Sequence, residues 1–268
     1  MVRLIAIDVD GTLIGHSGEP SPKVWAAAAR ARSLGIKLSI ASGRPAFGVT
    51  RDHARRLDPD HFHVFQNGAS VVHSGTGATR SVPLGDAVVA ELTARRARTG
   101  RCLELYTDDD WASEGNEELA KQHAVLLGVP YEPRRHASLR GPVVRAQWLV
   151  TDRELPTILG EAHAGLEIVS STSPVMPGVR FVNLTAKGVS KATALRAVAD
   201  GHGIAMADVM HVGDSGNDRE ALEIVGWPVA MANSEPEILA IAKHRVGHVE
   251  EGGAADAIEL AIASHGRA

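Results

Sequence analysis

Short apolar runs that stop at polar turns, each followed by a stretch with helical spacing, mark both ends of the chain. Leu4 to Val9 reads as a buried strand that runs into Asp8-Val9-Asp10-Gly11. Ser21, between Pro20 and Pro22, reads as the cap of an alanine-rich helix over Lys23–Leu34, closed by Gly35. Ile36–Ala41 is a second strand, stopped by Ser42-Gly43-Arg44-Pro45. Pro45 suits the first turn of a helix reaching Leu57. His63–Gln66 is a third apolar run, stopped by Asn67-Gly68. This alternation predicts a parallel sheet with crossover helices.

The C-terminal third repeats the rhythm. Helices are expected over Ser190–Gly201, Asp218–Val225, Pro236–Ala242 and Ala254–Ala263, and strands over Val209–Val212 and Pro228–Met231. The middle differs. Helical stretches (Ala87–Arg98, Asn116–Leu126) mix with strand-like runs (Leu103–Thr107, Val143–Val150, Gly178–Leu184), separated by loops rich in Gly, Pro, Arg and Asp. The expected fold class is therefore α/β. A Rossmann-like core with a mostly parallel sheet flanked by helices is built from residues 1–82 and 184–268, and an inserted α+β domain spans 83–183.

Composition narrows the functional classes. With 268 residues, 44% hydrophobic and 22% charged, the chain has ordinary globular usage, which argues against disorder. Aromatics are only 4%, so Ala, Val, Leu and Ile must fill the core. A net charge of -4 argues against a protein that coats nucleic acid. Cys102 is the single cysteine and cannot form an internal disulfide. The apolar run at the N-terminus is too short for a signal peptide, and no run reaches the ~18 apolar residues of a membrane span. A cytoplasmic protein with no membrane partner is expected.

Four polar segments carry candidate chemistry. Along a strand, residues i and i+2 share a face, so Asp8 and Asp10 are expected at one site beyond the first strand, where open α/β sheets bind ligands. Two such close carboxylates call for a divalent cation or a shared proton; the plain alternative is a solvated turn. Glu19 stands twelfth from Asp8 as in a calcium loop, but Leu13 occupies the position that needs glycine. Ser42-Gly43-Arg44 opens a helix and offers a hydroxyl, free N–H groups and a cation to an anion, or is an ordinary cap. Lys191 stands at a predicted helix start, against the helix dipole, a conflict that a nearby phosphate relieves; a lone lysine there is more often a solvated one. Asp214, Asn217 and Asp218 share a loop entering a helix, with oxygen donors of the kind Mg²⁺ takes, or are acidic caps. The Gly213-Asp214-Ser215-Gly216 string lacks the all-β context of a serine protease.

Other features read as structural. Gly75 and Gly77 suit a hairpin turn, and His61 and His63 lack a third zinc ligand. Arg134, Arg135, Arg140 and Arg145 read as a solvated basic face, and Tyr106, Trp111 and Trp148 as core.

Taken in order, Asp-x-Asp-Gly-Thr, Ser-Gly-Arg, a lysine and Gly-Asp-x-x-Asn-Asp resemble the motifs of the haloacid dehalogenase-like phosphohydrolase superfamily. The chain is most similar to the Cof-type branch, whose large α+β cap (type IIB) follows the third strand. Asn67-Gly68-Ala69 resembles a substrate-proximal segment of that branch. The resemblance implies a Mg²⁺-dependent phosphatase of small phosphorylated metabolites. Asp8 is then the nucleophile, and Asp10 the acid that serves the leaving alcohol, its proton favoured by a neighbouring carboxylate and partial burial. Ser42, Gly43 and Arg44 bind phosphate together with Lys191, which also holds Asp8. Asp8, the Asp10 carbonyl, Asp214, Asn217 and Asp218 support the metal. A phosphosugar mutase and a non-catalytic phosphometabolite-binding module are the alternatives. Substrate identity and oligomeric state stay open.

Overall fold

The computed structural model describes residues 1–161, 163–172 and 176–265. In chain order, the elements begin with β1 (Leu4–Ile7), α1 (Pro22–Ser33), β2 (Lys37–Ile40), α2 (Val49–Leu57), β3 (Phe62–Phe65) and β4 (Ser70–His73). The middle holds α3 (Asp86–Thr99), β5 (Cys102–Tyr106), β6 (Trp111–Glu114), α4 (Glu117–Leu127), β7 (Arg145–Thr151), α5 (Leu155–Gly160), β8 (Leu166–Ser171) and β9 (Val179–Ala186). The end adds α6 (Lys191–Asp200), β10 (Val209–Gly213), α7 (Arg219–Ile224), β11 (Trp227–Met231), α8 (Pro236–Ile241), β12 (His244–Val246) and α9 (Gly253–His265). The chain divides into two compact units, one of residues 1–43, 51–79 and 190–268, the other of 44–50 and 80–189.

In the first unit a parallel sheet runs in the order β12-β11-β10-β1-β2. β1 is buried along its whole length, as a central strand covered on both faces must be. Mostly small residues do the covering: Ala27, Ala28 and Ala31 of α1 and Ala257, Ile258 and Ala261 of the adjoining α9 are buried, and Leu4 and Ala6 of β1 pack with Ala194, Leu195 and Val198 of α6. With so few aromatics, close helix–sheet approach fills the space that large rings would otherwise take.

Two expectations need correction. The third apolar run does not extend the sheet as a full parallel strand. β3 pairs antiparallel with β4 and meets the chain just after β2 at the parallel Ala41–Val64 bridge. The reason lies in the Gln66-Asn67-Gly68 turn, whose positive φ at all three residues folds the chain straight back. Likewise α2 does not start at Pro45. Gly48, at φ +63°, breaks the path, Phe47 packs with Tyr106 and Trp111, and the helix begins at Val49.

In the second unit an antiparallel sheet runs β6-β5-β7-β9-β8. Leu103, Leu105, Ala146, Trp148, Val150, Val182 and Leu184 fill the core on one face, with Leu92 of α3 and Ile158 of α5. Along the other face Glu104, Gln147 and Asn183 lie in register and buried. Glu104 accepts from Tyr106 Oη at 2.5 Å, Gln147 Nε2 at 3.0 Å and a ring nitrogen of His123 at 2.8 Å. Tyr106 and Trp148 are core residues as expected, whereas Trp111 also borders a cavity of about 270 Å³ with Phe47, Asp109 and Glu132. The four arginines do not form one solvated face. Arg145 is buried over the Tyr106 ring, and Arg134 is paired with Asp110 at 2.6 Å. No helix among the described residues is long and apolar enough to cross a membrane.

The histidines of β3 are structural. His63 Nδ1 accepts from Ile40 N at 3.0 Å while Nε2 donates to Asp58 O at 2.8 Å, tying β3 to β2. His61 lies buried against the His202 ring, 4.5 Å between centroids. Gly75 and Gly77 sit in the turn that returns the chain after β4, closed by His73 N donating to Ala78 O at 2.8 Å. Burial pushes the His61 imidazole down to about 2 and that of His63 to about 4. Unfolded histidines titrate near 6.5, so the unfolded state gains protons first as pH falls. Stability should be complete above that value and then drop by about 1.4 kcal/mol per pH unit for each of the two histidines. Urea unfolding followed from neutral pH to about pH 5 should show this slope, and His61→Leu should flatten it; parallel slopes in both proteins would remove His61 as a cause.

Candidate active site

The site forms where the sheet order reverses. The chain leaves β1 for β2 on one side and returns to β10 on the other, so the loops after β10, β1 and β2 open side by side at the carboxyl edge. Ile7 is level with Val212, and Asp8 N donates to Val212 O at 2.9 Å. Asp8 and Asp214, each just past its strand, are thereby brought together from positions 206 residues apart in the chain.

Asp8 is buried, while Asp10 is exposed. The i, i+2 argument does not carry across this pair, because β1 ends at Ile7 and the chain coils immediately. Leu13 N donates to Asp8 O at 3.1 Å, Ile14 N donates to Val9 O at 2.8 Å, and Gly11 turns at φ +78°. Asp10 also lacks the partial burial expected of it. Gly11 is obligatory for a second reason: a Cβ there would lie 2.3 Å from Asp214 Oδ2. Thr12 Oγ1 donates to Asp214 Oδ1 at 3.1 Å, so the first loop grips the fourth.

Lys191 is buried rather than solvated. Its Nζ donates to Asp8 Oδ1 at 2.6 Å and to Asp218 Oδ1 at 2.8 Å. The position follows from a capping box in which Ser190 Oγ accepts from Thr193 N and Thr193 Oγ1 accepts from Ser190 N, starting α6 at this lysine. Asp218 has donors at both oxygens. Oδ1 takes Lys191 and His211 Nε2, the latter at 2.9 Å; Oδ2 takes the N–H groups of Asp214 and Ser215 at 3.2 and 3.4 Å. Gly213 makes room for this, since a Cβ there would fall 2.4 Å from Asp218 Cγ.

The remaining predicted residues distribute as follows. Ser42 is fully buried; its N–H donates to Val64 O and its carbonyl accepts from Asn67 N, both at 2.9 Å. Gly43 faces Asn67, whose Oδ1 a Cβ there would meet at 3.2 Å. Asn67 also accepts from Asn217 Nδ2 at 3.5 Å, linking the loops after β3 and β10. Gly68 presses against the start of α6, where a Cβ would sit 2.2 Å from Ser190 O. Arg44, half-buried, opens the 44–50 segment that clusters with the second unit. Thr12, His211 and Asn233 were not singled out from sequence. Asn233 Nδ2 donates to Gly11 O at 2.7 Å. Thr12 lies in the Asp-x-Asp-Gly-Thr motif and His211 in the strand expected over Val209–Val212, whereas nothing in the sequence marks Asn233.

Electrostatics identify what is missing. Asp8, Asp214 and Asp218 bring carboxylate oxygens within 4.8 Å of one another. Burial, aided by Asp218, Asp10 and Asp214 and opposed by Lys191, raises the Asp8 carboxyl well above its usual range. Burial and Asp218 push Asp214 up to about 6. Burial also acts to raise Asp218, but Lys191 and His211 overcome it and hold that carboxyl low. Lys191, though burial works against its charge, is held above the ordinary lysine value by Asp218 and Asp8. One lysine thus balances three crowded carboxylates, two of which resist ionisation, and this donor set of hard oxygens fits a divalent cation. Asp8 and Asp214 carry fewer hydrogen bonds than Asp218 and are the less engaged of the three carboxylates that could hold it.

Comparison with known proteins agrees with this geometry. A family model described as haloacid dehalogenase-like hydrolase matches residues 5–258. YxeH of Bacillus subtilis is 28% identical, over 98% of this chain and 100% of its own. The HMP-PP phosphatase of Cronobacter sakazakii is 25% identical, over 92% of this chain and 91% of its own. A haloacid dehalogenase-like hydrolase from Bacteroides thetaiotaomicron superposes with a TM-score of 0.83 at 23% identity, covering 97% of this chain and 99% of its own. The carboxylates after β1 and β10, the lysine at the start of α6 and the match along almost the whole length make this chain a member of the haloacid dehalogenase-like hydrolase family.

Proposed function

We propose that this protein is a Mg²⁺-dependent phosphatase of small phosphorylated metabolites that works through an aspartyl-phosphate. The observation that carries the reading is Lys191, buried and shared between Asp8 and Asp218 beside Asp214. A nucleophilic carboxylate has to be shielded from bulk water and held in place by a cation, and Lys191 holds Asp8 in this way. The phosphatase name of the Cronobacter relative supports the same reaction class.

In this reading Lys191 engages Asp8 Oδ1, which leaves Oδ2 to attack phosphorus. An O–P bond forms to Asp8 as the bond to the leaving alcohol breaks, and Asp10 gives that alcohol its proton. Asp10, now a carboxylate, takes a proton from water; the water oxygen bonds to phosphorus, the Asp8–phosphorus bond breaks, and phosphate leaves. Lys191 and the polar groups of Ser42 and Gly43 stabilise charge on the equatorial oxygens. Asp8, Asp214 and the Asp10 carbonyl would hold Mg²⁺, with Asn217 acting through water; when bound, the ion supplies positive charge against the phosphate dianion.

Phosphate release across a panel of phosphorylated metabolites, with Mg²⁺ and with chelator, tests this directly. Asp8→Asn should abolish turnover while the far-UV spectrum and cooperative unfolding stay; turnover near wild type would remove the nucleophile. Asp10→Asn should cost about 10²–10⁴-fold with an alkyl phosphate and much less with p-nitrophenyl phosphate, whose leaving group needs no proton. Equal losses for the two substrates would count against the acid. Because the Asp214 carboxyl sits at about 6, protons compete with the metal below that pH. The rise in melting temperature on adding Mg²⁺ should therefore be large near pH 7.5 and small near pH 5, and a pH-independent rise would argue against Asp214 as a ligand.

A further inference from the structure

His211 is a fully buried residue of the site to which the reaction above gives no task. It lies in β10, between Ala6 of β1 and Pro228 of β11, where an aliphatic side chain would meet every packing need. Its Nε2 is 2.9 Å from Asp218 Oδ1, and its Nδ1 meets no hydrogen-bond partner among the described residues. Burying an imidazole is costly unless its polar atoms are engaged, and the single engagement here is with Asp218. The ring must carry its proton on Nε2 to donate to that carboxylate.

The contact matters because of what else Asp218 Oδ1 holds. The same oxygen accepts from Lys191 Nζ at 2.8 Å, and Lys191 in turn reaches Asp8 at 2.6 Å. The two backbone donors to Oδ2 are longer, at 3.2 and 3.4 Å, than the two contacts at Oδ1. Oδ1 is held by Lys191 at 2.8 Å and by His211 at 2.9 Å, and of these two donors His211 is the one anchored in a central strand. Without it, Lys191 loses its second anchor and falls toward Asp8, closing on the carboxylate that has to reach phosphorus.

We propose that His211 is a positioning residue for phosphoryl transfer, acting through Asp218 to keep Lys191 shared between two carboxylates. The kinetic part of this inference rests on the phosphatase reading; the geometric part stands by itself. The test uses the full chain with p-nitrophenyl phosphate and Mg²⁺, together with crystal structures of the wild type and His211→Leu. In the leucine variant the Lys191–Asp218 contact should open beyond hydrogen-bonding distance. Its kcat should fall about tenfold, with a smaller change in KM, as is typical when a residue that orients an active-site group is lost. Glutamine, whose amide nitrogen reaches about as far as Nε2, should recover kcat to within about threefold of wild type. His61→Leu, which replaces a buried histidine elsewhere in the same unit, should leave kcat alone. Should His211→Leu not fold, His211→Asn, too short to reach Asp218, replaces it in both the structural and the kinetic comparison. Lys191 and Asp218 unmoved in the variant structure, or glutamine as impaired as leucine, overturns the proposal. Absence of any wild-type turnover sinks the phosphatase reading instead, and the position of Lys191 in the variant structure still decides the role of His211.

Discussion

A single buried cation held between two carboxylates constrains nearly everything around it. Lys191 Nζ touches Asp8 and Asp218 in a place from which solvent is excluded, with Asp214 alongside. Removing one partner from such a buried pair typically costs about 3–5 kcal/mol, because the group left behind stays charged and unpaired. The arrangement is worth that risk only where the imbalance is put to use. Here the crowded carboxylates form a donor set that could hold a divalent ion, and Asp8 is shielded from solvent beside it.

Close backbone approach is the second requirement. Gly11, Gly213 and Gly68 each stand where a β-carbon would overlap Asp214, Asp218 or the carbonyl of Ser190. The first two let carboxylates lie flat against neighbouring backbone, and the third lets the turn after β3 seat against the start of α6. Hydrogen bonds then lock the loops to one another. Thr12 holds Asp214, Asn233 holds the Gly11 carbonyl, and Asn217 meets Asn67. Four loops that carry polar groups are thereby tied to one another at the carboxyl edge of the sheet, an arrangement that favours preorganised catalysis.

The second unit follows a different plan. One face of its sheet is apolar and carries α3 and α5, while the other buries a charged and polar row centred on Glu104. Buried networks of this kind are demanding, since every member has to find a partner. Leu103–Thr107 and Val143–Val150 are legible as strand-like runs, but polar residues near such runs read as solvent-facing. That is why Arg145 was grouped with surface arginines although it is buried over Tyr106.

Local physics determined a good deal of this protein. The strands β1, β2, β10 and β11, the cap at Ser21 and the helices α1 and α6 were legible because apolar period and capping chemistry are properties of adjacent residues. The motifs Asp8–Thr12, Ser42–Arg44 and Gly213–Asp218 were legible for the same reason. Other features were decided by contacts between residues far apart in the chain. The burial of Lys191, the exposure of Asp10, the antiparallel turn of β3 and the partnership of His211 with Asp218 depend on which strands lie side by side and how closely their loops approach. No window of sequence holds that information, because desolvation and charge coupling arise only once the sheet has brought distant carboxylates within a few ångströms of one lysine.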